Sequence, residues 1–331
     1  MRSLLRAELA RVRARPLVLG VLVVVTLGAV GLVLFGWWDT RPPTGAQVEA
    51  AHVQLAEAER LWQAEGEAVV ERCKELEAGA RAKTPEVSFG CDAMAPVVEA
   101  YLPYRPDLAT VLVERLPTVW LMAVIGMLMT GVGLVTAEFR SGAIATWLTF
   151  APRRGRVFLS KLVAACVAAL VVAVVPTAVA LGGLVAVCAL NGAATGVDAV
   201  VAGGLATSAA RWIAVGIAAT VAGHGLGFAV RHAAGVTGIV VWWAATVESA
   251  LPLVLPAAGW VRTSTNLEAW LTGQATYTVV TCVADPRSPE GRFCEGLVHT
   301  VGAGQGALAT GVLVAVTLLA GWLSFRLRDV T

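Results

Sequence analysis

Six stretches of the sequence, at about 16–38, 116–136, 157–186, 207–230, 233–256 and 305–326, are long runs of mostly apolar residues. Crossing bilayer hydrocarbon as a helix takes roughly 20 such residues. Six stretches of that kind leave too few polar residues to clothe a water-soluble domain. The composition agrees, with 57% of the 331 residues hydrophobic and only 15% charged, whereas soluble domains carry about 25%. The sequence therefore predicts an all-α polytopic membrane protein. Six transmembrane helices are joined by short connections and by a helical extracellular insertion between the first and second spans.

The first stretch follows Arg11, Arg13 and Arg15, as a secretory signal would. Its apolar core is too long for one, and Gly36-Trp37-Trp38-Asp39 reads as an interfacial aromatic belt, so it is taken as an uncleaved anchor. Lys and Arg concentrate in short segments on the cytoplasmic side of membrane proteins. Here they mark residues 1–15, the connection 137–156 with Lys161, the joint at Arg231, and the tail 327–331 with Arg326 and Arg328 beside it. An even number of spans puts all four on one side. Both termini are thus expected in the cytoplasm of a multi-pass plasma-membrane protein. The other side receives residues 39–115, a short connection near 187–206, and residues 257–304. The formal net charge of +2 gives no sign of nucleic-acid binding.

Residues 45–82 lack proline and are rich in helix formers. Val48, Leu55, Trp62, Val69 and Leu76 recur every seven residues, with mostly poor companions (His52, Glu59, Gly66, Cys73), as in a half-made coiled-coil seam. Such a helix packs on its own loop or docks a second subunit or an external partner. Four cysteines, Cys73, Cys91, Cys282 and Cys294, fall on the outer side, while Cys166 and Cys188 belong to the third span. The partition suits an oxidising exterior. Of the three possible pairings, Cys73–Cys91 and Cys282–Cys294 close the shortest loops; a metal site is the rival use. Residues 257–304 are partly apolar around Trp260, Trp270 and Val279-Val280, and could hold a helix that re-enters the outer leaflet.

Between the second and third spans the chain reads Glu138-Phe139-Arg140-Ser141-Gly142, then a short helical run carrying Ile144, Trp147 and Leu148 on one face. Pro152-Arg153-Arg154 stop that run, and Lys161 follows inside the next span. This pattern, within a six-span layout and after a basic amphipathic N-terminal helix, resembles the membrane (permease) subunits of type-2 ATP-binding-cassette exporters of the actinobacterial kind. The resemblance covers nearly the whole chain, although the long first outer segment departs from it. It implies a coupling helix at about 138–151 that docks into a cytoplasmic ATPase subunit, with Glu138, Phe139, Arg140, Gly142, Trp147, Pro152, Arg153 and Arg154 carrying the contact. It also implies an interfacial N-terminal helix with Leu5 and Leu9 on one side and Arg6 and Arg13 on the other. The expected partners are an ATPase dimer, a second permease subunit (identical or related) and the lipid membrane.

A phosphate-cradling loop needs Gly-x-x-x-x-Gly-Lys-Ser/Thr, and none of Lys74, Lys83 and Lys161 is preceded by glycine. ATP and Mg would therefore belong to the partner, with no cofactor on this chain and no enzymatic activity of its own. Ionisable residues inside spans are costly and often functional. They are Arg211, which could pair with Glu248 or snorkel to the interface, Glu248 itself, and His224, expected as a hydrogen-bonded packing residue among Gly223, Gly225 and Gly227. Pro176 could kink the long third span. A polytopic membrane enzyme would have only Ser249, Glu248 and His224 as nucleophile and base. A secondary transporter or channel would often show internal duplication, and none is visible. The transported molecule is not legible.

Overall fold

The computed structural model describes residues 2–13, 15–82, 84, 86–150, 153–284 and 292–329, without the side chains of residues 2–5. Helix α1 (Arg2–Arg13) precedes α2 (Pro16–Asp39), whose first-turn proline lacks only an N–H that has no helical partner anyway. Helix α3 (Gly45–Arg81) starts at a capping box in which Thr44 and Gln47 satisfy each other's backbone N–H groups. Helix α4 (Leu108–Arg140) is capped by Asp107, which accepts from the Thr110 N–H. A tight turn through Gly142, at φ +68°, reverses the chain into α5 (Ala143–Phe150). Then come α6 (Arg154–Leu190) and α7 (Ala199–Val230). Helix α8 (Ala233–Trp243) runs through a π-helical stretch, Ala244–Ala250, into α9 (Leu251–Val254). After a 3-10 turn come α10 (Thr263–Thr272), the antiparallel strands β1 (Gln274–Ala284) and β2 (Arg292–Gly302), and α11 (Ala303–Leu327).

Among the described residues six helices are long and apolar enough to cross a membrane, namely α2, α4, α6, α7, the α8–α9 run and α11. This is a polytopic, predominantly helical membrane fold. Two spans start early at side-chain caps, α4 eight residues before its expected limit at Asp107 and α7 at Asp198. Helix α6 continues unbroken through Pro176. The bundle centres on α4, the most buried span, which packs against α2, α6 and α7, while α11 packs on α7. Backbones meet closely at several glycines. A Cβ on Gly131 would strike the Thr220 carbonyl, and one on Gly225 would strike the Thr317 carbonyl. Small residues substitute for hydrophobic driving force where lipid is the solvent. The α8–α9 run and α11 are the least buried spans and present apolar side chains outward.

The end of the bundle formed by α1, α5, Arg231 and the end of α11 is called here the basic end. At the opposite end α3, 37 residues long and so about 55 Å, leans mainly on residues 87–100. A straight helix drifts about 20° per heptad, so a seven-residue stripe turns by about 80° along it. Accordingly Val48, Leu55 and Trp62 are half-buried, Val69 and Leu76 are exposed, and Val70, Cys73 and Glu77 take over the covered face. Cys73 and Cys91 are bonded with Cα atoms 5.7 Å apart, and Cys282 and Cys294 at 4.0 Å.

Residues 257–304 differ from the expected partly apolar segment with one dipping helix. Among the described residues, 263–272 are α-helical between the 3-10 turn and two antiparallel strands, in which Gln274 faces Gly302 and Cys282 faces Cys294. Thr, Val and Tyr crowd 276–283, and such branched and aromatic residues favour a pleated surface. Helix α10 packs against α11 and α7. Glu248, 15 residues into its span and so about 22 Å from the basic end, accepts from the N–H groups of Thr263 and Ser264 at 2.6 and 3.1 Å.

Candidate functional site

The basic end holds four buried or half-buried charges in contact. Lys161 of α6 donates to Glu8 of α1 at 2.8 Å and to Glu138 of α4, and Glu138 also accepts from Arg15, in the joint between α1 and α2. The side chains of Glu8, Glu138 and Lys161 are 5–6% exposed or less. Removing a charge from water costs several kcal/mol, repaid only when partners and hydrogen bonds are complete. Two acids and two bases meet that condition here. Their positions follow from the helices. Glu138 is near the end of α4, Lys161 is two turns into α6, and Glu8 faces inward because Leu9 and Val12 pack α1 against Val18, Leu134, Ala164, Ala165 and Ala168.

Helix α5 joins this cluster through Trp147, whose ring centroid is 4.5 Å from the Arg11 guanidinium and 5.5 Å from the Lys161 ammonium. A cation over an aromatic face is attracted by the ring quadrupole. Ile144 anchors the same face of α5, fully buried among Val135, Val157, Phe158, Phe228 and Phe325. The other face is uncovered. Phe150 is 83% exposed, and Arg140, Arg153 and Arg156, on the segments that flank α5 in the chain, are exposed too. An exposed apolar side chain on a held helix, with exposed cations on the flanking segments, suits a groove with acidic edges.

Most of the residues expected to carry coupling meet here, in distinct roles. Glu138 and Trp147 belong to the buried cluster, Gly142 makes the turn, and Arg140 and Arg153 are on the exposed rim. Phe139 packs edge-to-face on Phe228 at 5.7 Å and lies under the Arg231 guanidinium at 5.1 Å. Arg154 is half-buried against the end of α11. Its Nη1 donates to the carbonyls of Phe325, Arg326 and Arg328 at 2.8–3.1 Å, closing the end of α11. Pro152 lies outside the described residues, as does the side chain of Leu5. In α1, Leu9 is half-buried while Arg6 and Arg13 are exposed, as expected of an amphipathic helix.

Two contributors were not singled out from sequence. Glu8 is the lone acid among the five arginines of residues 1–15 named above, a signal in itself. Arg231 is the one described non-glycine residue at positive φ, +64°, a conformation costing roughly 1–2 kcal/mol. Its guanidinium donates to Asp329 and Ser324 carbonyls at 2.8 and 3.4 Å, tying α7 to the end of α11.

The intramembrane polar residues are arranged differently from the expectations. Arg211 does not pair with Glu248. It donates to the Leu271 carbonyl at 3.0 Å, with Trp270 beside it. Glu248 caps α10 and lies 3.8 Å from Arg262, its direction set by the π-helical stretch around it. His224 is fully buried, with ring centroids of Phe158 and Phe228 both 4.9 Å away, but neither nitrogen has a hydrogen-bond partner. The Ser249 hydroxyl donates to the Ala244 carbonyl, so no Ser–His pair forms. Among the described residues no cluster of His, Cys, Asp or Glu could hold a metal ion.

Neither a protein-family model nor a curated protein matches this chain.

Proposed function

We propose that the chain is the membrane (permease) subunit of a type-2 ATP-binding-cassette exporter, resident in the plasma membrane with both termini in the cytoplasm. The observation that carries this reading is the buried Glu8–Lys161–Glu138–Arg15 cluster, which joins α1, α4 and α6 beneath the exposed outer face of α5. A force on α5 would reach three elements at once through contacts that break only at high cost. The absence of a phosphate-binding sequence in the chain favours a separate ATPase subunit as the source of that force, with ATP and Mg held there. Closure of the ATPase would tilt α4 and α6 about the bundle and open a path outward, a rigid-body transition biased by nucleotide. A second permease subunit, identical or related, would complete the path. On this reading the basic segments face the cytoplasm, the disulfides face an oxidising exterior, and α10 with its preceding turn is re-entrant from that exterior.

A photo-crosslinking amino acid at position 150, in cells of the source, tests the assignment. The expected adduct is a protein carrying Gly-x-x-x-x-Gly-Lys-Ser/Thr, captured by wild type and lost in Glu138→Gln. Capture that survives Glu138→Gln, or an adduct without that sequence, contradicts it.

A further inference from the structure

A crevice of about 480 Å³ lies between the α8–α9 run, α10 with its preceding turn, and α11. One wall is Trp260, Val261 and Asn266, and the other is α11 from Gln305 to Val316. Several polar groups of the walls brace them, although Asn266 Oδ1 is buried without a partner. Asn266 Nδ2 donates to the carbonyls of Trp260 and Arg262 at 2.6 and 2.8 Å, and Trp243 Nε1 donates to the Thr263 hydroxyl at 2.9 Å. What remains along the α11 wall is Leu308, Val312 and Val316, at 70, 54 and 59% exposure, so the crevice opens sideways from a membrane-spanning helix. Gln305, exposed, marks its upper end next to the first turn of α11.

From Gln305 to Val316 is eleven residues of helix, about 16 Å. Half of a bilayer's hydrocarbon core is about 15 Å. The apolar groove thus runs the depth of one leaflet, starts at a polar side chain, and is walled by preformed contacts. Its geometry points to a site for one acyl chain of a glycerophospholipid from the leaflet at the end opposite the basic one, with the headgroup at Gln305. A water-borne solute would find almost no polar partner in it, and a molecule spanning both leaflets would overrun it. This site depends on the membrane fold and not on the identity of any motor, so it stands or falls separately from the exporter reading.

The test is native mass spectrometry of the full chain, extracted from phosphatidylglycerol nanodiscs into mild detergent. Wild type is expected to carry a single phosphatidylglycerol adduct. Ala309→Trp, which fills the groove, removes it, and the milder Ala309→Leu reduces it. Val24→Trp, on the outward face of α2, keeps it. Folding is checked by an unchanged elution volume and both disulfides; if Ala309→Trp fails that check, Ala309→Leu decides alone. Absence of the adduct from wild type, equal loss in Ala309→Leu and Val24→Trp, or retention in Ala309→Leu each overturns the proposal. So does a shift of the Ala309 variants from a dimer to a monomer, because the occupant would then be a second copy of the chain.

Discussion

The two ends of the α4–α6 pair are held together by different chemistry. At the basic end, charge meets charge away from water, with Lys161 between Glu8 and Glu138. At the opposite end, charge and amide meet backbone. Arg105 donates to the carbonyls of Thr40 and Asn191, the Asn191 amide donates to Trp37 O and Thr40 Oγ1, and the Arg115–Asp39 ion pair is partly exposed. Losing the Asn191 amide from the second set leaves neutral groups that water or a neighbour can satisfy. Losing Lys161 from the first leaves the Glu8 carboxylate bare in a dry place. The opposite end is therefore a static seam that loosens by degrees, whereas the basic end is either complete or broken, as suits an element that transmits a push.

Lys161→Met separates the two ends most sharply. It strands the buried Glu8 carboxylate and leaves Glu138 to Arg15 alone, and breaking such a pair costs about 3–5 kcal/mol. A large fall in Tm of the detergent-solubilised protein is expected, partly recovered by adding Glu138→Gln, since coupled sites are not additive. A small fall would place the cluster in water.

Next in size is the pair Cys73→Ser with Cys91→Ser, which opens a link across 18 residues; cross-links over such spans contribute about 2–4 kcal/mol. The effect is confined to α3 and residues 84–105, read as faster proteolysis there with an unchanged bundle Tm. Asn191→Ala removes two hydrogen bonds of the seam and should cost about 1–2 kcal/mol, visible as a modest Tm decrease without loss of cross-linking at position 150.

The smallest effect is a pH dependence at the opposite end. The Thr110 N–H holds the Asp107 carboxyl below its ordinary 3.8. A carboxyl lowered by folding stabilises fully above its unfolded value, and that contribution is lost as pH falls through the lowered one. The start of α4 should fray only in that acid range, by hydrogen exchange, and Asp107→Asn should abolish the dependence.

Much of the architecture was legible because lipid imposes a coarse rule on sequence. Apolar length gave six spans, the absence of proline gave α3, and short loops gave both disulfides. The hairpin was not read because an apolar run such as Val279-Val280 fits either a buried helix or a strand, although the branched residues around it and the Asp285-Pro286 turn signal pointed to strands. The basic end was half legible. Glu138, Trp147 and Lys161 stood out in a local pattern, but Glu8 joins them from 153 positions away, which no local spacing encodes. Arg154 shows the converse limit, because a long basic side chain near three unsatisfied carbonyls is drawn to them whatever its neighbours do. Arg211 and Glu248 fell on suitable depths of adjacent spans, yet each found a nearer partner in α10, a helix whose position depends on its packing against α7 and α11.

Spin labels on Ala10→Cys in α1 and Thr149→Cys in α5, both exposed sites, measure directly whether the buried charges make the basic end one rigid body. In a background lacking the native free cysteines Cys166 and Cys188, a single narrow distance distribution is predicted for the intact cluster, and a broad one once Lys161→Met is added. An equally narrow distribution in both proteins would contradict the claim that these charges hold α5 to α1.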